Sequence, residues 1–424
     1  MLAQVWAGGG RQVIAHAYHC GIVALVSRRP YDLVLFGATG FAGRLTAEYL
    51  ARAVPPTASW ALAGRNRRKL ELVRDQLGVL WTGLPLLPAD ASDPDSLHEL
   101  ARSTRVLAST VGPYVQHGEP LVAACADEGT DYVDLAGEPE FVDRCYVRYH
   151  QRAVETRARL VHSCGFDSLP HDLGAYFTVR QLPEGVPLRV RGFVRASGAI
   201  SGGTYQSAIT SFSRMRPAIA AHRERRRREP RPLGRRARAV PGRLHRDADA
   251  QAWAVPLPTI DGQVIARSAR ALERYGPDFT YTHYAAVRRL PSVLGGVSTL
   301  AGIAALAQLP PTRRWLERRI PSGSGPSPQR RARSWFTVRF VGEGGGERVI
   351  TEVAGGDPGY AESAKMLAES ALCLVAGGLP PAAGQVTPAA TMGDALTERL
   401  IKAGITFTVL DGAPTGPPSR RLSP

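Results

Sequence analysis

Short apolar runs alternate with segments of helical pattern along the first part of the chain. The apolar runs have the length of buried strands, and the segments between them, such as 67–77 and 141–157, are predicted to form helices. The predicted strands are 31–36, 60–63, 84–87, 105–111, 131–134 and 159–164. Strands and helices that alternate in this way indicate parallel βαβ units. We therefore expect an α/β fold over residues 31–165.

The pattern changes character after residue 165. Segments 186–195, 334–340 and 348–353 are strand-like, and 358–375 is predicted to form a long helix. Thr387 and Pro388 then occupy the cap and first position of another helix. We expect a second α+β domain with a mostly antiparallel sheet over 166–410. Residues 1–30 are predicted to be a poorly ordered extension and 411–424 a flexible tail.

A glycine turn joins the first predicted strand to the first helix. Glycines at this spacing permit a tight turn, close approach of the backbone to a pyrophosphate, and close helix packing, while the helix N-terminus attracts an anion. Glycines also close ordinary βα turns, so the motif by itself is a weak signal. The residues expected to bind a dinucleotide are Gly37, Thr39, Gly40, Phe41 and Gly43.

The end of the second strand distinguishes between the two nicotinamide cofactors. A carboxylate at this position binds the ribose hydroxyls of NAD, whereas an arginine suits the 2′-phosphate of NADP. Arg65 occupies the position, with Arg67, Arg68 or Lys69 in support. The alternative is a solvated basic helix start, although cations are disfavoured at a helix N-terminus. We expect NADP(H) as the cofactor.

Two more positions follow strands three and four. Asp90 could accept a hydrogen bond from the adenine amine, or it could be a plain turn residue ahead of a helix that Asp93 caps and Pro94 begins. Gly112 ends the fourth strand, which in a doubly wound sheet lies past the switch point beside the nicotinamide ribose. Together these features predict a Rossmann domain, a doubly wound parallel sheet, over residues 31–165.

The amino-acid composition limits the kinds of function that this protein can have. The 424 residues are 44% hydrophobic and carry a formal net charge of +16, which is typical of a globular basic protein. The basicity is local, because residues 222–246, predicted to be a loop, hold eleven arginines and two glutamates. No nucleic-acid-binding motif accompanies them. We therefore expect no nucleic-acid partner.

Cysteine and histidine usage indicates neither a disulfide framework nor a metal site. The five cysteines are odd in number and widely spaced, which is typical of a reducing cytoplasm. His162 and Cys164 form a near pair, as do His19 and Cys20, but neither has a second pair at ligand spacing. We assign no metal and expect a cytoplasmic protein.

Residues 290–312 carry no charge, which raises the question of a membrane segment. Small and hydroxylated residues are frequent there, and the larger apolar residues recur at helical spacing. We therefore favour a buried or interfacial helix over a membrane span. Because arginines follow at 313–319, the same helix could make peripheral contact with anionic lipid at the inner face of the cell membrane.

The combined motifs resemble the saccharopine dehydrogenase-like oxidoreductases, and within them the trans-acting enoyl reductase group. The resemblance covers about residues 31–408. The segments that carry it are Tyr31–Gly43, Ala63–Asn66, Thr110–Tyr114, Tyr132–Glu138, Cys164–Gly174, Gly356–Tyr360, Ala364–Glu369 and Thr387–Gly393. The resemblance implies an NADP-linked reductase of a carbon-carbon double bond in a lipid intermediate, with the acyl chain held by a polyketide synthase.

This chemistry needs a group that polarises the thioester carbonyl and a proton for the α-carbon, since the cofactor supplies the hydride. Tyr114, with His117 nearby, could donate to the carbonyl oxygen, or it could be a packing aromatic beside Pro113. Asp167 lies just past the sixth strand near the crevice, in a segment that also resembles a helix cap. Tyr114 and Asp167 are therefore the candidate catalytic residues.

Two other functions stay open at this stage. A saccharopine-type reductase would reduce an imine joining two amino acids, but it would need charged substrate clamps, and the apolar segment 290–312 favours a lipid. A non-catalytic nucleotide-binding scaffold at a lipid surface is the second alternative. The sequence also leaves open a homo-oligomer.

Overall fold

Two β-sheets organise the protein in the computed structural model, which describes residues 29–197, 209–319 and 326–410. The first sheet has seven parallel strands, and the second has eight strands that are mostly antiparallel. The expected fold class, a Rossmann sheet followed by a second α+β domain, is confirmed. Most of the extension predicted over 1–30 and the tail predicted over 411–424 lie outside the described residues.

The first sheet has the strand order of a doubly wound dinucleotide fold. Its order is β3-β2-β1-β4-β5-β6, with β14 added beyond β6, so the switch point lies between β1 and β4. The strands are β1 (Tyr31–Phe36), β2 (Trp60–Gly64), β3 (Leu86–Pro88), β4 (Thr104–Ser109), β5 (Asp131–Asp134), β6 (Arg159–Val161) and β14 (Gly384–Val386). Their central residues are buried because helices cover both faces of a parallel sheet.

Helices connect these strands at the predicted places. They are α1 (Phe41–Ala53), α2 (Arg67–Gln76), α3 (Pro94–Ser103), α4 (Tyr114–His117), α5 (Glu119–Glu128) and α6 (Pro139–Thr156), with a 3₁₀ turn at Val79–Trp81. The Asp93 side chain accepts hydrogen bonds from the backbone N–H groups of Asp95 and Ser96, and Pro94 is the first helical residue. The predicted cap of α3 is thus confirmed.

The second sheet has the order β15-β13-β12-β7-β11-β10-β9, and β8 pairs with β11 off this path. Strand β11 is parallel to β7 and β8, while the other pairs are antiparallel. The strands are β7 (Leu188–Ser197), β8 (Arg236–Ala239), β9 (His245–Asp247), β10 (Ala252–Pro256), β11 (Asp278–Val287), β12 (Trp335–Gly344), β13 (Glu347–Gly355) and β15 (Thr406–Leu410).

The remaining helices lie after residue 165. They are α7 (Leu169–Val179), α8 (Met215–Arg228), α9 (Asp261–Ala271), α10 (Leu290–Ala307), α11 (Pro310–Arg319), α12 (Pro328–Arg331), α13 (Ala361–Ala376), α14 (Pro388–Thr391) and α15 (Gly393–Lys402), with a 3₁₀ turn at Glu273–Tyr275. Thr387 is the residue before α14, as predicted, but its hydroxyl is within 2.6 Å of the Ser268 hydroxyl instead of capping the helix.

Helix α7 packs closely on the second sheet. A Cβ atom on Gly174 would come within 2.3 Å of the Phe340 ring, so only glycine lets the helix approach β12 to this distance. This contact holds α7, which carries His171, against the second sheet.

The C-terminal part of the chain returns to the first sheet. Strand β14 pairs in parallel with β6, and α13 packs against α1 and β4. Residues 361–386 therefore add a helix and a strand to the layer predicted over 31–165, whereas β15 pairs with β13 in the second sheet. A three-residue strand this far along the chain carries no local sequence signal of its partner.

The arginine-rich segment 222–246 is not a loop throughout, which corrects the prediction. It contains the end of α8 and the strand β8, and β9 begins at its last residues. Arginine is a good helix former. Arg225 is 1% exposed and binds Asp143 on α6 and Glu229 just beyond α8. Part of the local positive charge therefore forms a buried ion network.

The uncharged segment 290–312 forms helix α10 and the start of α11. The helix ends at Ala307 ahead of Pro310 and Pro311, since proline cannot continue an α-helix. Ala307, at its end, packs against Ile209 and Phe212. Within residues 29–197, 209–319 and 326–410, none of the helices combines the length and the hydropathy that crossing a bilayer requires.

Candidate active site

The loops after β1, β4, β5 and β6 meet at the carboxyl edge of the parallel sheet. The Thr110 hydroxyl, after β4, donates to the Gly37 carbonyl oxygen at 3.1 Å. Glu138, after β5, accepts from the backbone N–H groups of Tyr114 and Val115 at 3.0 and 2.8 Å. In open α/β sheets, ligands bind in the crevice at this edge. These loops therefore form the candidate site.

The glycine turn has no room for side chains at two of its positions. Gly37 adopts φ +87°, and a Cβ atom there would come within 2.7 Å of the Thr110 hydroxyl. A Cβ atom on Gly43 would come within 2.2 Å of the Gly37 carbonyl oxygen. Gly40 precedes α1 without a side-chain cap, and the first turn of α1 holds no acidic residue. The turn thus fits a pyrophosphate at the helix N-terminus.

The other predicted residues of the turn lie beside that N-terminus. Thr39 accepts a hydrogen bond at its carbonyl oxygen from Arg44 Nε at 3.2 Å, and Phe41 is the first residue of α1. The Phe41 ring meets the Tyr360 ring edge-on at 4.7 Å, and the Arg331 guanidinium lies 5.6 Å from the Phe41 ring centre. The second half of the chain therefore contacts the start of α1, next to the glycine turn.

Arg65 is exposed directly after β2, where the sequence placed it. Asn66 accepts a hydrogen bond from the Lys69 backbone N–H and so caps α2, while Arg67 pairs with Glu71 at 3.3 Å. Arg65 forms no ion pair with a residue in the described part of the chain. Its guanidinium is therefore available to a phosphate at this edge.

Asp90 is near Arg65 but is held by its own turn. Its Oδ1 atom accepts from the Ser92 N–H and the Ser92 hydroxyl at 2.9 and 2.8 Å. These hydrogen bonds lower the pKa of Asp90, and the nearby charges of Arg65 and His117 add to the effect. The turn role foreseen as an alternative is thus present, and an adenine contact through the other oxygen stays a prediction.

Tyr114 is buried, and its hydroxyl is occupied by the backbone. The hydroxyl donates to the Ser109 carbonyl oxygen at 3.0 Å and accepts from the Leu135 N–H at 3.1 Å. Burial raises the pKa of Tyr114 well above its usual value. Gly112 is exposed beside the Tyr114 ring. This geometry favours the packing role of Tyr114 over donation to a substrate.

Asp134 fixes the loops after β5 and β6. It is fully buried and accepts from the backbone N–H groups of Ala136 and Ser163 at 3.0 and 2.9 Å. Its second oxygen lies 2.6 Å from Nδ1 of His162, which is also buried. These contacts place Gly137 and Asp167 opposite each other at the crevice.

Asp167 is a partly exposed carboxyl group at the same edge. A Cβ atom on Gly137 would lie 3.2 Å from the Asp167 carboxyl carbon, so the side chain lies over the loop after β5. Desolvation, with repulsion from Asp261 and Glu138, raises the pKa of Asp167 to about 7. Near neutral pH this group can both hold and release a proton.

A cluster from three distant parts of the chain lies close to Asp167. His171 on α7, Asp261 at the start of α9 and His283 on β11 bring their ligand atoms within 4.8 Å of one another. All three residues are buried. The absence of a metal was predicted from the spacing of neighbouring histidines and cysteines, but these three residues are far apart in the sequence, so no local spacing connects them. No feature of the sequence near Arg331 predicts its contact with Phe41. Tyr360 belongs to a segment that carries the family resemblance, but the sequence predicts no role for it.

Residues 33–161 match the saccharopine dehydrogenase NADP binding domain family. A protein of Mycobacterium tuberculosis is 38% identical over 413 residues, covering 89% of this chain and 97% of that protein. A trans-acting enoyl reductase of Mycobacterium ulcerans is 36% identical over 416 residues with the same coverage. The chain belongs to the trans-acting enoyl reductase family. It is an oxidoreductase with an NADP-binding domain.

A solved structure supports the fold of this family member. Apo saccharopine dehydrogenase (L-Glu forming) from Saccharomyces cerevisiae superposes with a TM-score of 0.53 at 11% identity, covering 90% of this chain and 100% of that chain. At this identity the likeness concerns the arrangement of the two sheets. It agrees with the matched NADP-binding domain, which lies within the first sheet and its helices.

Proposed function

We propose that the protein uses NADPH to reduce a carbon-carbon double bond in an acyl chain that a separate polyketide synthase holds. The observation that carries the proposal is the similarity to trans-acting enoyl reductases over 97% of their length. The glycine turn and Arg65 at one sheet edge support the cofactor, and the carboxyl group of Asp167 supports proton delivery.

The cofactor contacts are assigned to residues that directly follow the first four strands. The N-terminus of α1 binds the pyrophosphate, because Gly37 and Gly43 exclude side chains from the turn. Arg65 binds the 2′-phosphate, and Thr39, Phe41, Asp90 and Gly112 line the path of the nucleotide from adenine to nicotinamide. When bound, NADPH supplies the hydride for the β-carbon of the substrate.

The protein's own residues supply the proton that the reaction adds to the substrate. Hydride addition to the β-carbon of an enoyl thioester leaves an enolate, and the α-carbon must then accept a proton. Asp167 donates that proton in our proposal, because its carboxyl group is partly exposed and its pKa is about 7. Tyr114 is a positioning residue that holds the loops after β4 and β5.

The first experiment measures nucleotide binding. NADPH and NADH are titrated into the wild-type protein, Arg65→Ala and Arg52→Ala, with nicotinamide fluorescence as the signal. Arg52, an exposed arginine in the last turn of α1, is the matched control. Loss of charge-assisted hydrogen bonds should weaken NADPH binding about 10–100-fold in Arg65→Ala and leave NADH binding unchanged. Equal NADPH binding by all three proteins would contradict the assignment.

The second experiment measures the reaction. A trans-2-enoyl pantetheine thioester is supplied with NADPH, and the saturated thioester is quantified by mass spectrometry. NADPH oxidation with an amino acid and a keto acid instead would favour the saccharopine-type alternative. Nucleotide binding with no turnover of either substrate class would favour the scaffold.

Segment 290–319 supports a finer proposal about the location of the reaction. We propose that α10 and α11 make peripheral contact with anionic lipid, because Leu306, Leu309 and Trp315 are 39–59% exposed and Arg314 is exposed near them. Cosedimentation with phosphatidylglycerol vesicles, but not with phosphatidylcholine vesicles, is expected, and Leu309→Glu should reduce it. Light scattering by the purified protein without vesicles tests the predicted homo-oligomer.

A further inference from the structure

The cluster of His171, Asp261 and His283 has an unusual chemical composition for a protein interior. The three residues are 3%, 3% and 7% exposed. No lysine or arginine of the described segments lies within ion-pair distance of Asp261, whose ionic contacts there are the two histidines. Burying a carboxylate costs free energy unless a positive charge or hydrogen bonds compensate it. The Thr259 hydroxyl donates a hydrogen bond to Asp261 Oδ2, but it carries no charge. The cluster therefore lacks an evident source of positive charge.

The contacts within the cluster are close but are poorly aligned for hydrogen bonding. His171 Nδ1 lies 3.1 Å from Asp261 Oδ1, and His283 Nε2 lies 3.5 Å from Asp261 Oδ2. Even so, neither ring nitrogen of His171 nor Oδ1 of Asp261 has a hydrogen-bond partner among the described residues. Polar atoms at this distance that do not bond to one another can share a third partner.

The spacing of these atoms fits a small cation. Zn²⁺ binds histidine nitrogen and carboxylate oxygen at about 2.0–2.2 Å, so tetrahedral ligand atoms lie about 3.3 Å apart. His171 Nδ1 lies 3.1 Å from Oδ1 of Asp261 and His283 Nε2 lies 3.5 Å from Oδ2, both near this value. One ligand atom from each of the three residues lies within 4.8 Å of the other two. The two imidazole rings are 5.0 Å apart at an angle of 80°, so they approach Asp261 from different directions.

One histidine is already oriented by an outer contact. His283 Nδ1 lies 2.8 Å from the Tyr281 hydroxyl, which leaves Nε2 directed toward Asp261. Gly192 makes room for this contact, since a Cβ atom there would come within 2.2 Å of the Tyr281 hydroxyl oxygen. Histidine ligands of metals are commonly held by such a contact at the other ring nitrogen.

We propose that His171, Asp261 and His283 bind one divalent cation of the zinc class. The cation would join α7 to α9 and β11, close to Asp167 and the candidate site. Two imidazoles and a carboxylate favour Zn²⁺ or a related transition metal over Mg²⁺ or Ca²⁺. Three protein ligands leave one coordination position for water.

Metal analysis of the full-length protein tests the proposal. The protein is produced in zinc-supplemented medium with a tag that contains no histidine, and its zinc content is measured by mass spectrometry. About one zinc per chain is expected in the wild type, and about a tenth or less in His283→Gln. His98→Gln is the matched control, because His98 contacts Glu128 at 3.0 Å near the surface and the described residues provide no third ligand beside them.

Two further measurements locate the metal: binding of Co²⁺ in place of Zn²⁺, and zinc binding by Tyr281→Phe, which lacks the hydroxyl beside His283. Chelator-treated wild type should bind one equivalent of Co²⁺ with the intense visible absorption of a tetrahedral site, and Zn²⁺ should remove it. Tyr281→Phe should bind Zn²⁺ about 10–100-fold more weakly, as measured by competition with a chromophoric chelator. Circular dichroism of each variant shows whether it is folded. The cobalt experiment uses the wild-type protein, so no substitution can disturb its folding.

Two results would overturn the proposal. One is folded wild type that contains far less than one zinc per chain and gives no tetrahedral cobalt spectrum. The other is His283→Gln protein that binds zinc as tightly as the wild type, which would place the metal elsewhere. In either case the three residues do not bind the cation. None of these measurements depends on NADPH or enoyl thioester.

Discussion

Gly43 lies so close to Gly37 that a Cβ atom on Gly43 would come within 2.2 Å of the Gly37 carbonyl oxygen. The same atom would be 2.8 Å from the Ala38 Cα atom, so every close contact is with backbone that cannot rotate away. Helix α1 therefore begins in direct contact with its own turn. That contact keeps the helix N-terminus against the end of β1.

The first prediction concerns this contact. Gly43→Ala should lower the free energy of unfolding by about 3 kcal/mol, because the new methyl group must displace backbone. It should also abolish NADPH binding. Gly83→Ala is the control, since no atom lies within 4 Å of its Cβ position. Thermal unfolding and fluorescence titration measure the two effects, and a Gly43→Ala protein as stable as the control would disprove the steric argument.

Gly40 should separate binding from stability. Its Cβ atom would lie 3.4 Å from the Gly37 carbonyl oxygen, an ordinary contact, so Gly40→Ala should fold nearly as well as the wild type. NADPH affinity should nevertheless fall at least about tenfold, because the methyl group would occupy the approach of the pyrophosphate and weaken its charge-assisted hydrogen bonds. Unchanged affinity would mean that the pyrophosphate does not bind at this turn.

Adjacent arginines on α8 should differ in their effects on stability. Arg225 is 1% exposed and binds Asp143 and Glu229, whereas Arg226 is exposed. Arg225→Ala leaves buried carboxylates with fewer cations and should cost about 3 kcal/mol of unfolding free energy, while Arg226→Ala should change little. Chemical denaturation compares them, and equal midpoints would show that the buried pairing contributes nothing.

The Rossmann layer could be predicted because its signals are local. The segments at 31–36 and 131–134 have apolar central residues and are followed by loop residues, and the structure forms strands there with the same bounds. Strand β8 reads Arg-Ala-Arg-Ala, and β9 reads His-Arg-Asp, so neither shows an apolar run. Their pairing with neighbouring strands defines them, and such pairing is not visible in the local pattern.

The candidate site likewise has parts that local sequence predicts and parts that it does not. Gly37 and Gly43 belong to the turn after β1 and Arg65 follows β2, and the structure places them at one sheet edge. The partners of Asp167 could not be predicted, since Asp261 comes from a helix of the second domain. The sequence also could not show that the Tyr114 hydroxyl bonds backbone, because that depends on the loop after β5.

Tyr114→Phe should separate a positioning role from a catalytic one. The substitution leaves the buried Leu135 N–H without its acceptor, which should cost about 1–3 kcal/mol of unfolding free energy. In the folded protein we expect kcat to fall less than about tenfold, with no change in the shape of the pH profile. A stable Tyr114→Phe protein that loses kcat about a hundredfold or more would restore Tyr114 as the proton or hydrogen-bond donor.

Asp167 should set the alkaline limb of the pH profile. A proton donor must be protonated, and burial together with the charges of Asp261 and Glu138 raises the pKa of Asp167 to about 7. The acid form therefore predominates below that pH and is lost above it. For the free enzyme, kcat/KM should be level on the acid side and fall about tenfold per pH unit above about pH 7.

Two substitutions test whether Asp167 causes this decrease in kcat/KM at alkaline pH. Asp167→Asn cannot donate a proton, so its rate should be about 10²–10⁴-fold lower and nearly independent of pH in this range. Asp167→Glu restores a titratable carboxyl group and should recover part of the rate together with the limb. The profiles are recorded after dialysis against a chelator, so that only the protein's own charges act on Asp167. If Asp167→Asn kept the wild-type limb, another group would be the donor, because an amide cannot produce a titration near pH 7.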